Sequence, residues 1–279
     1  MLRDALTRAE SLVPKDRIVT VVAARHRRWW EAELKEFPSE NVVIQPENKG
    51  TAAGLLLPLM EILRRDADAE VLVLPSDHYV ADETVLKMAF LAALPAAHEA
   101  FQRVVLLGIT PDQADTEYGW IVPMPRGKEF VCGVERFVEK PELGIAMRLF
   151  REGGLWNSFM FAASGHTLLY LFQEILPDLL SPFLPRLFDV SPRWNSVALA
   201  ELYQKLPTYD FSRHLMEKAS HHLGVLPVPP CGWSDLGTPE RVRRCLAESS
   251  RDWEIDLYSK FEGKLLALPS EGGSGRSFE

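Results

Sequence analysis

Residues 71–80, VLVLPSDHYV, limit what this chain can fold into more than any other stretch. Four apolar residues run without a polar break into Pro75, Ser76, Asp77 and His78. A short apolar run closed by a proline reads as a strand buried on both faces, the kind found at the centre of a parallel sheet. Open α/β sheets bind ligands outside the carboxyl ends of their strands, so Asp77 is delivered to such a crevice. A carboxylate there, beside a serine and a histidine, can hold a divalent cation through oxygen contacts. Read alone, the same tetrapeptide equally describes an acid capping the next helix and a surface histidine.

The sequence before and after this run supplies the helices such a strand needs. Residues 2–12 carry Leu2, Ala5, Leu6 and Ala9 at helical spacing. Strands are expected over 18–24 and 41–44, with helices over 25–37 and 52–65. After the central strand, residues 81–100 read as a helix interrupted near Pro95, and 103–109 as a strand. That alternation predicts a doubly wound parallel sheet with right-handed crossovers. Beyond Thr110 the connections shorten. Strands over 118–122, 130–139 and 155–162 predict a mixed extension, with helices over 141–153 and 165–180. Residues 181–194 read as a proline-rich loop. Helices follow at 197–206 and 211–219, a strand at 223–227 and a helix at 239–248. The last residues, EGGSGRSFE, have linker composition, so 269–279 is expected to be a disordered tail behind a single domain over 1–268.

Composition removes some function classes. With 279 residues, 47% hydrophobic and 25% charged, the chain is of ordinary globular type. A net charge of -8 argues against a general nucleic-acid binder, which carries a basic face, but leaves room for a nucleotide substrate. Cys132, Cys231 and Cys245 are odd in number and widely spaced, with neither a disulfide framework nor metal-ligand spacing, so a reducing cytoplasm is expected. MLRDALTRAE reads as an amphipathic helix rather than a signal peptide, and no apolar run reaches the length of a membrane span.

Five further stretches carry polar groups where ligands could meet them. QPENKGTAAG, residues 45–54, joins a strand to a helix; Gly50 permits close backbone approach, and Thr51 can cap the helix. A plain strand-to-helix turn with a good cap accounts for the same residues. TEYGWI sets Gly119 between two aromatics within a strand, which marks a bulge or a close approach. FVEKP ends a strand with Glu139, an acceptor for sugar hydroxyls, and Lys140, a partner for phosphate; as a bare pair they also fit a solvated strand end. LWNSFMF places Asn157 among large apolar residues, where an amide needs a buried network or a polyol. CGWSDLGTPE brings Asp235 into a turn before a helix.

In this order, QPENKGTAAG, VLPSDH, GITPDQADTEYGWI, RFVEKPE, LWNSFMF, YDFSRHLMEK and GWSDLGT resemble the sugar-1-phosphate nucleotidyltransferases, and among them the mannose-1-phosphate guanylyltransferases. The resemblance runs from Ile18 to about Leu246. It implies a Rossmann-like, GT-A-like fold with a mixed, mainly parallel sheet. It also implies a reaction in which GTP or another nucleoside triphosphate and mannose-1-phosphate or another sugar-1-phosphate give an NDP-sugar and pyrophosphate. By the same resemblance Asp77 and Asp235 hold Mg²⁺, while Gln45, Gly50 and Thr51 contact base and ribose. Gly119, Glu139 and Asn157 contact the sugar, and Lys140 lies near its phosphate. Glu217 is matched without a role.

The chain departs from the family pattern at three places. Glu117 and Phe159 stand where glycine is commoner. The first strand and its G-G-x-G-x-R phosphate loop have no counterpart in these residues. The expected consequence is a gap beside the strand at Val71, with the missing segment encoded upstream, or else a truncated, non-catalytic relative that still binds sugar nucleotides. No second activity is expected on this chain, and neither nucleic acid nor membrane is an expected partner.

Overall fold

The computed structural model describes residues 1–99, 103–125, 130–188 and 194–248. Residues 1–235 form one compact unit. Its helices are α1 (Leu2–Glu10), α2 (Arg27–Trp30), α3 (Gly50–Arg65), α4 (Glu83–Glu99), α5 (Leu143–Arg151), α6 (Gly165–Ile175), α7 (Pro177–Leu180) and α8 (Ser196–Lys205). Its strands are β1 (Thr20–Ala23), β2 (Val42–Gln45), β3 (Glu70–Val73), β4 (Val104–Ile109), β5 (Trp120–Pro123), β6 (Cys132–Val138), β7 (Leu155–Ser164) and β8 (Leu223–Val228). The second unit contributes α9 (Pro239–Glu248). The expected disordered tail, 269–279, lies outside the described residues.

Six strands form one sheet in the order β3-β7-β4-β8-β6-β5, and β5 returns to pair with β7. The α/β class is as expected, and the sheet is mixed. Four of its strands, β3, β4, β5 and β8, point one way and β6 and β7 the other, but between neighbours only β4 and β8 pair in parallel and every other pairing is antiparallel. The strand at Val71 is therefore not central. It pairs with β7 alone, antiparallel, at the margin of the sheet. An apolar run has the same composition whichever way its neighbour points, so sequence alone could not give that direction.

Alternating side chains on β7 separate two cores. Leu155, Phe161 and Ala163 join Leu56, Met60, Phe172 and Phe211 on the side covered by α3 and α6. Trp156, Met160 and Ala162 join Leu86, Phe90 and Trp120 on the side covered by α4. α4 runs through Pro95 without the expected break, because Ala93 and Ala97 on either side are buried in that second core. The helix expected over 25–37 shrinks to the single turn of α2; Trp30, Leu34 and Phe37 instead pack onto Ile18 and Val22, and the Trp30 indole N–H donates to the Ala23 carbonyl at 2.9 Å. Ser181–Phe188, expected as loop, winds as 3₁₀ helix.

β1 and β2 pair in parallel as a separate two-stranded sheet. Among the described residues no ladder joins β1 to β3, although the same covering elements reach both. Val19 and Val43 share a core with α3, Val71 and Val73. Leu2, Leu6 and Ala9 of α1 pack with Ile18 and Val22, while Leu12 packs with the cluster that includes Leu72 and Leu74. Among the described residues β1 and β3 thus each keep one strand edge without a ladder partner.

Close packing across the large sheet predicts a steep penalty at one glycine. A Cβ on Gly108 of β4 would stand 2.7 Å from Leu155 Cδ1 and 2.8 Å from Val225 Cγ2, whereas one on Gly144 of α5 would meet nothing within 4 Å. Gly108→Ala is expected to cost about 1–3 kcal/mol through overpacking. Gly144→Ala should be neutral or gain up to about 1 kcal/mol. Urea unfolding of the two variants beside the parent checks this.

Candidate functional site

The turn after β3 is held against the end of the first unit by an isolated antiparallel bridge between Tyr79 and Ser234. Each residue donates its N–H to the other's carbonyl, at 2.8 and 3.0 Å. This bridge brings Asp77 and Asp235 to the same imidazole. His78 is partly buried, and burial pushes its pKa down to about 4 against the opposing pull of Asp77 and Asp235, with Arg8 adding to the lowering. The Trp233 indole N–H donates to His78 Nδ1 at 3.2 Å, so that nitrogen is the acceptor and the remaining proton sits on Nε2. Nε2 lies 4.0 Å from Asp77 Oδ1. The Tyr118 hydroxyl donates to Asp235 Oδ1 at 3.1 Å, which orients the second carboxylate. Asp77 is 68% exposed, so one acid faces solvent while the other is held from behind.

A second group assembles around Gly119, Glu139 and Asn157, which the fold brings into one place. A Cβ at Gly119 would stand 2.5 Å from Glu139 Oε2 and 3.2 Å from Asn157 Cβ, so only glycine leaves room there. The Asn157 N–H donates to the Gly119 carbonyl at 2.7 Å. The Asn157 amide is itself held: Nδ2 reaches Ser212 Oγ at 3.5 Å, and Oδ1 accepts from the Phe159 N–H at 3.1 Å. The Glu139 backbone N–H donates to Glu217 Oε1 at 2.6 Å, which gives Glu217 a place: it fixes the strand end that carries Glu139. Burial, reinforced by Asp210 and Glu217 and opposed by Lys140 and Arg213, raises the Glu139 carboxyl from 4.5 to about 7. Its Oε2 is buried and accepts no hydrogen bond from the described residues. Lys140 follows with a positive φ of 46°, which turns its side chain out to within 3.9 Å of Glu117 Oε2.

The third group is the 45–54 turn. Gly50 opens α3 with φ of 81°, and a Cβ there would fall 2.1 Å from the Tyr209 carbonyl oxygen. That carbonyl accepts the Ala52 N–H at 3.1 Å and so caps the helix from a distant segment. Thr51 does not cap with its own hydroxyl. It donates to Asp210 Oδ2 at 3.2 Å and accepts the Phe211 N–H at 2.7 Å. Gln45 lies over Gly54 and donates to the buried Tyr203 hydroxyl at 3.4 Å, and burial raises the pKa of that tyrosine. Residues 209–217 thus hold both groups: Tyr209 and Asp210 secure the 50–52 turn, and Ser212 and Glu217 secure Asn157 and Glu139. Between them Ser212–Met216 is wound as a π-helix, a rare form that recurs at functional sites. Tyr118, Trp233, Ser212 and Asp210 were not singled out from sequence; the YDFSRHLMEK segment was, as a motif without geometry.

A mixed α/β domain that gathers acids and polar groups around the ends of its strands is built to receive a small polar ligand. Comparison with known proteins gives the narrower class. The chain matches the nucleotidyl transferase family over residues 8–249 and belongs to it. It is 28% identical over 246 residues to a mannose-1-phosphate guanylyltransferase of Salmonella typhimurium, covering 85% of this chain and 50% of that one. Against a second from the same organism it is 30% identical over 208 residues, covering 72% and 42%. The chain therefore spans about half the length of these curated relatives. The crystal structure of mannose-1-phosphate geranyltransferase from Thermus thermophilus superposes with a TM-score of 0.76 at 30% identity, over 90% of this chain and 69% of that one. A UDP-glucose pyrophosphorylase bound to UDP-glucose, at 12% identity and a TM-score of 0.55, shares the fold over 88% of this chain and 87% of its own. Within that family the chain is similar, over most of its own length, to mannose-1-phosphate guanylyltransferases.

The state of Glu139 sets a pH dependence. Its folded pKa, about 7, lies above the ordinary 4.5, so the native state holds a proton that the unfolded chain has released. The favourable contribution is complete below about pH 4.5 and is lost as pH rises through 7. Glu139→Gln keeps the shape without the charge. Its stability relative to the parent should rise from pH 5 to pH 8, then level off. Urea titrations at half-unit pH intervals measure the difference, and a flat difference would contradict the assignment.

Proposed function

We propose that the protein forms an NDP-sugar, GDP-mannose, from GTP and mannose-1-phosphate, with release of pyrophosphate. The convergence of Gly119, Glu139 and Asn157 on one spot carries this reading, because the family resemblance assigns those three positions to the sugar. In the reaction an oxygen of the sugar phosphate attacks the α-phosphorus. The bond to the bridging oxygen breaks, and pyrophosphate leaves with that electron pair. Such chemistry depends on in-line positioning and on balancing phosphate charge. Glu139 and Asn157 orient the sugar hydroxyls: at neutral pH a carboxyl with a pKa of about 7 can donate as well as accept. Lys140, on the exposed side, meets the sugar phosphate. Gln45, Gly50 and Thr51 form the nucleotide side, where Thr51 acts through the backbone it braces.

Asp77 and Asp235 are the residues that would hold Mg²⁺. Among the described residues no three His, Cys, Asp or Glu converge as a protein-only cage. Two carboxylates beside an imidazole that is neutral and occupied at Nδ1 fit a hard ion that keeps waters and takes phosphate oxygens, and do not fit a four-ligand zinc site. When bound, the ion supplies charge neutralisation across the phosphates.

The unpaired edges of β1 and β3 favour a second reading for these 279 residues in isolation: binding without turnover. No G-G-x-G-x-R loop occurs in the sequence, and in this family such a loop cradles the triphosphate. One experiment separates the readings. The 279-residue chain is assayed for pyrophosphate release from GTP and mannose-1-phosphate, and GTP binding is followed by calorimetry with and without Mg²⁺. Steady turnover supports the first reading, and GTP binding without pyrophosphate release supports the second. Asp77→Asn and Asp235→Asn should each remove at least ten-fold of the Mg²⁺-dependent gain in affinity. Tyr118→Phe serves as a structural control with a smaller loss. Unchanged Mg²⁺ dependence in both Asn variants would rule out the metal assignment.

A further inference from the structure

Phe159 occupies a backbone conformation that a bulky side chain does not adopt without a constraint. Its φ is +57°, in the middle of β7, where an aromatic is strained and a glycine is not. The cause is a bulge. Leu106 of β4 faces Phe161, but Gly108, two residues on, faces Asn157, four residues back along β7. Residues 158–160 therefore oppose Leu107 alone. Ser158 stitches the interruption, donating its hydroxyl to the Leu107 carbonyl at 2.6 Å and accepting the Met160 N–H at 3.1 Å. An even number of extra residues keeps the alternation, so Phe159 stays on the same face as Asn157 and Phe161.

The ring lies where the two halves of the site meet. It makes edge contacts with Phe161 and Phe211, at centroid distances of 6.4 and 6.0 Å. Phe211 is bound through its own N–H to Thr51 on the nucleotide side. The Phe159 N–H is bound to Asn157 on the sugar side. Phe159 itself remains partly exposed rather than sealed in the core. Strain concentrated in a half-open aromatic between two groups of polar residues points from the outlier toward a function, which is the direction such an argument can take.

We infer that Phe159 is a specificity-determining residue that narrows the sugar-phosphate half of this site, so that the nucleotide half binds freely while a hexose phosphate is restricted in size. The inference rests on the nucleotidyltransferase reading of the same site. It requires no movement of Asn157 or Glu139, only the volume and the fixed backbone of one side chain.

The test compares the parent with Phe159→Gly and Phe159→Ala. Calorimetry is run with GDP, mannose-1-phosphate and glucose-1-phosphate, alongside thermal unfolding. Both variants are expected to bind the two hexose phosphates at least ten-fold more tightly and to bind GDP as the parent does. Glycine should retain more thermal stability than alanine, because it alone relieves the positive φ. Folded variants whose hexose-phosphate affinities equal the parent's, with GDP bound by all three, would overturn the inference and leave the nucleotide reading standing. GDP binding absent from all three proteins would overturn the nucleotidyltransferase reading and this inference with it.

Discussion

The structure depends on the way β7 shares its backbone hydrogen bonds. One of its edges pairs with β4 along its length, while the other pairs with β3 at Phe161–Ser164 and with β5 at Leu155 and Trp156. Between those two partners lies the bulge at 158–160, which takes Phe159 out of the ladder, while Asn157 stays opposite Gly108 of β4 and turns its N–H to the Gly119 carbonyl. The Gly119 carbonyl and the Ser158 hydroxyl take up groups that a regular strand would have paired. A buried strand must account for every N–H and C=O, so the interruption is possible only because these substitutes exist. The candidate sugar side follows from that arrangement.

Electrostatics then separates the two acid groups by environment. Asp77 is exposed and Asp235 is held by the Tyr118 hydroxyl, with a neutral imidazole between them. Glu139, in contrast, sits where burial and two further acids oppose its ionisation. Acids open to solvent or oriented by a hydroxyl suit a cation, and a carboxyl that holds its proton near neutrality suits the hydroxyls of a sugar. One chemical group thus supports two roles because the surroundings differ.

Much of this was legible in the sequence, and the reasons differ from residue to residue. Gly119, Glu139 and Asn157 stand out because a glycine between aromatics, an acid at a strand end and an amide in an apolar run each contradict their local setting. Their convergence could be expected only through the family resemblance, since nothing in the spacing of 119, 139 and 157 reveals that β5, β6 and β7 are neighbours. Strand direction was out of reach for a similar reason: the apolar run at Val71 reads the same at the margin of an antiparallel pair as at the centre of a parallel one. Thr51 looked like a cap, and the helix start does need one, but the Tyr209 carbonyl supplies it from 157 residues away, leaving the threonine hydroxyl to tie down Asp210 and Phe211. Tyr118, Trp233 and Ser212 act only through partners distant in sequence, and no local pattern marks them.

The unpaired margins of β1 and β3 carry a consequence for handling the protein. Backbone donors and acceptors along a strand margin are sequence-blind and will accept an extended segment from any neighbouring molecule. Among the described residues two such margins occur together while buried apolar side chains line the cores on both faces, so the weak point is not the interior. Loss of soluble material at high concentration should proceed by cross-molecular strand pairing from intact domains, with native helix content retained in the early assemblies.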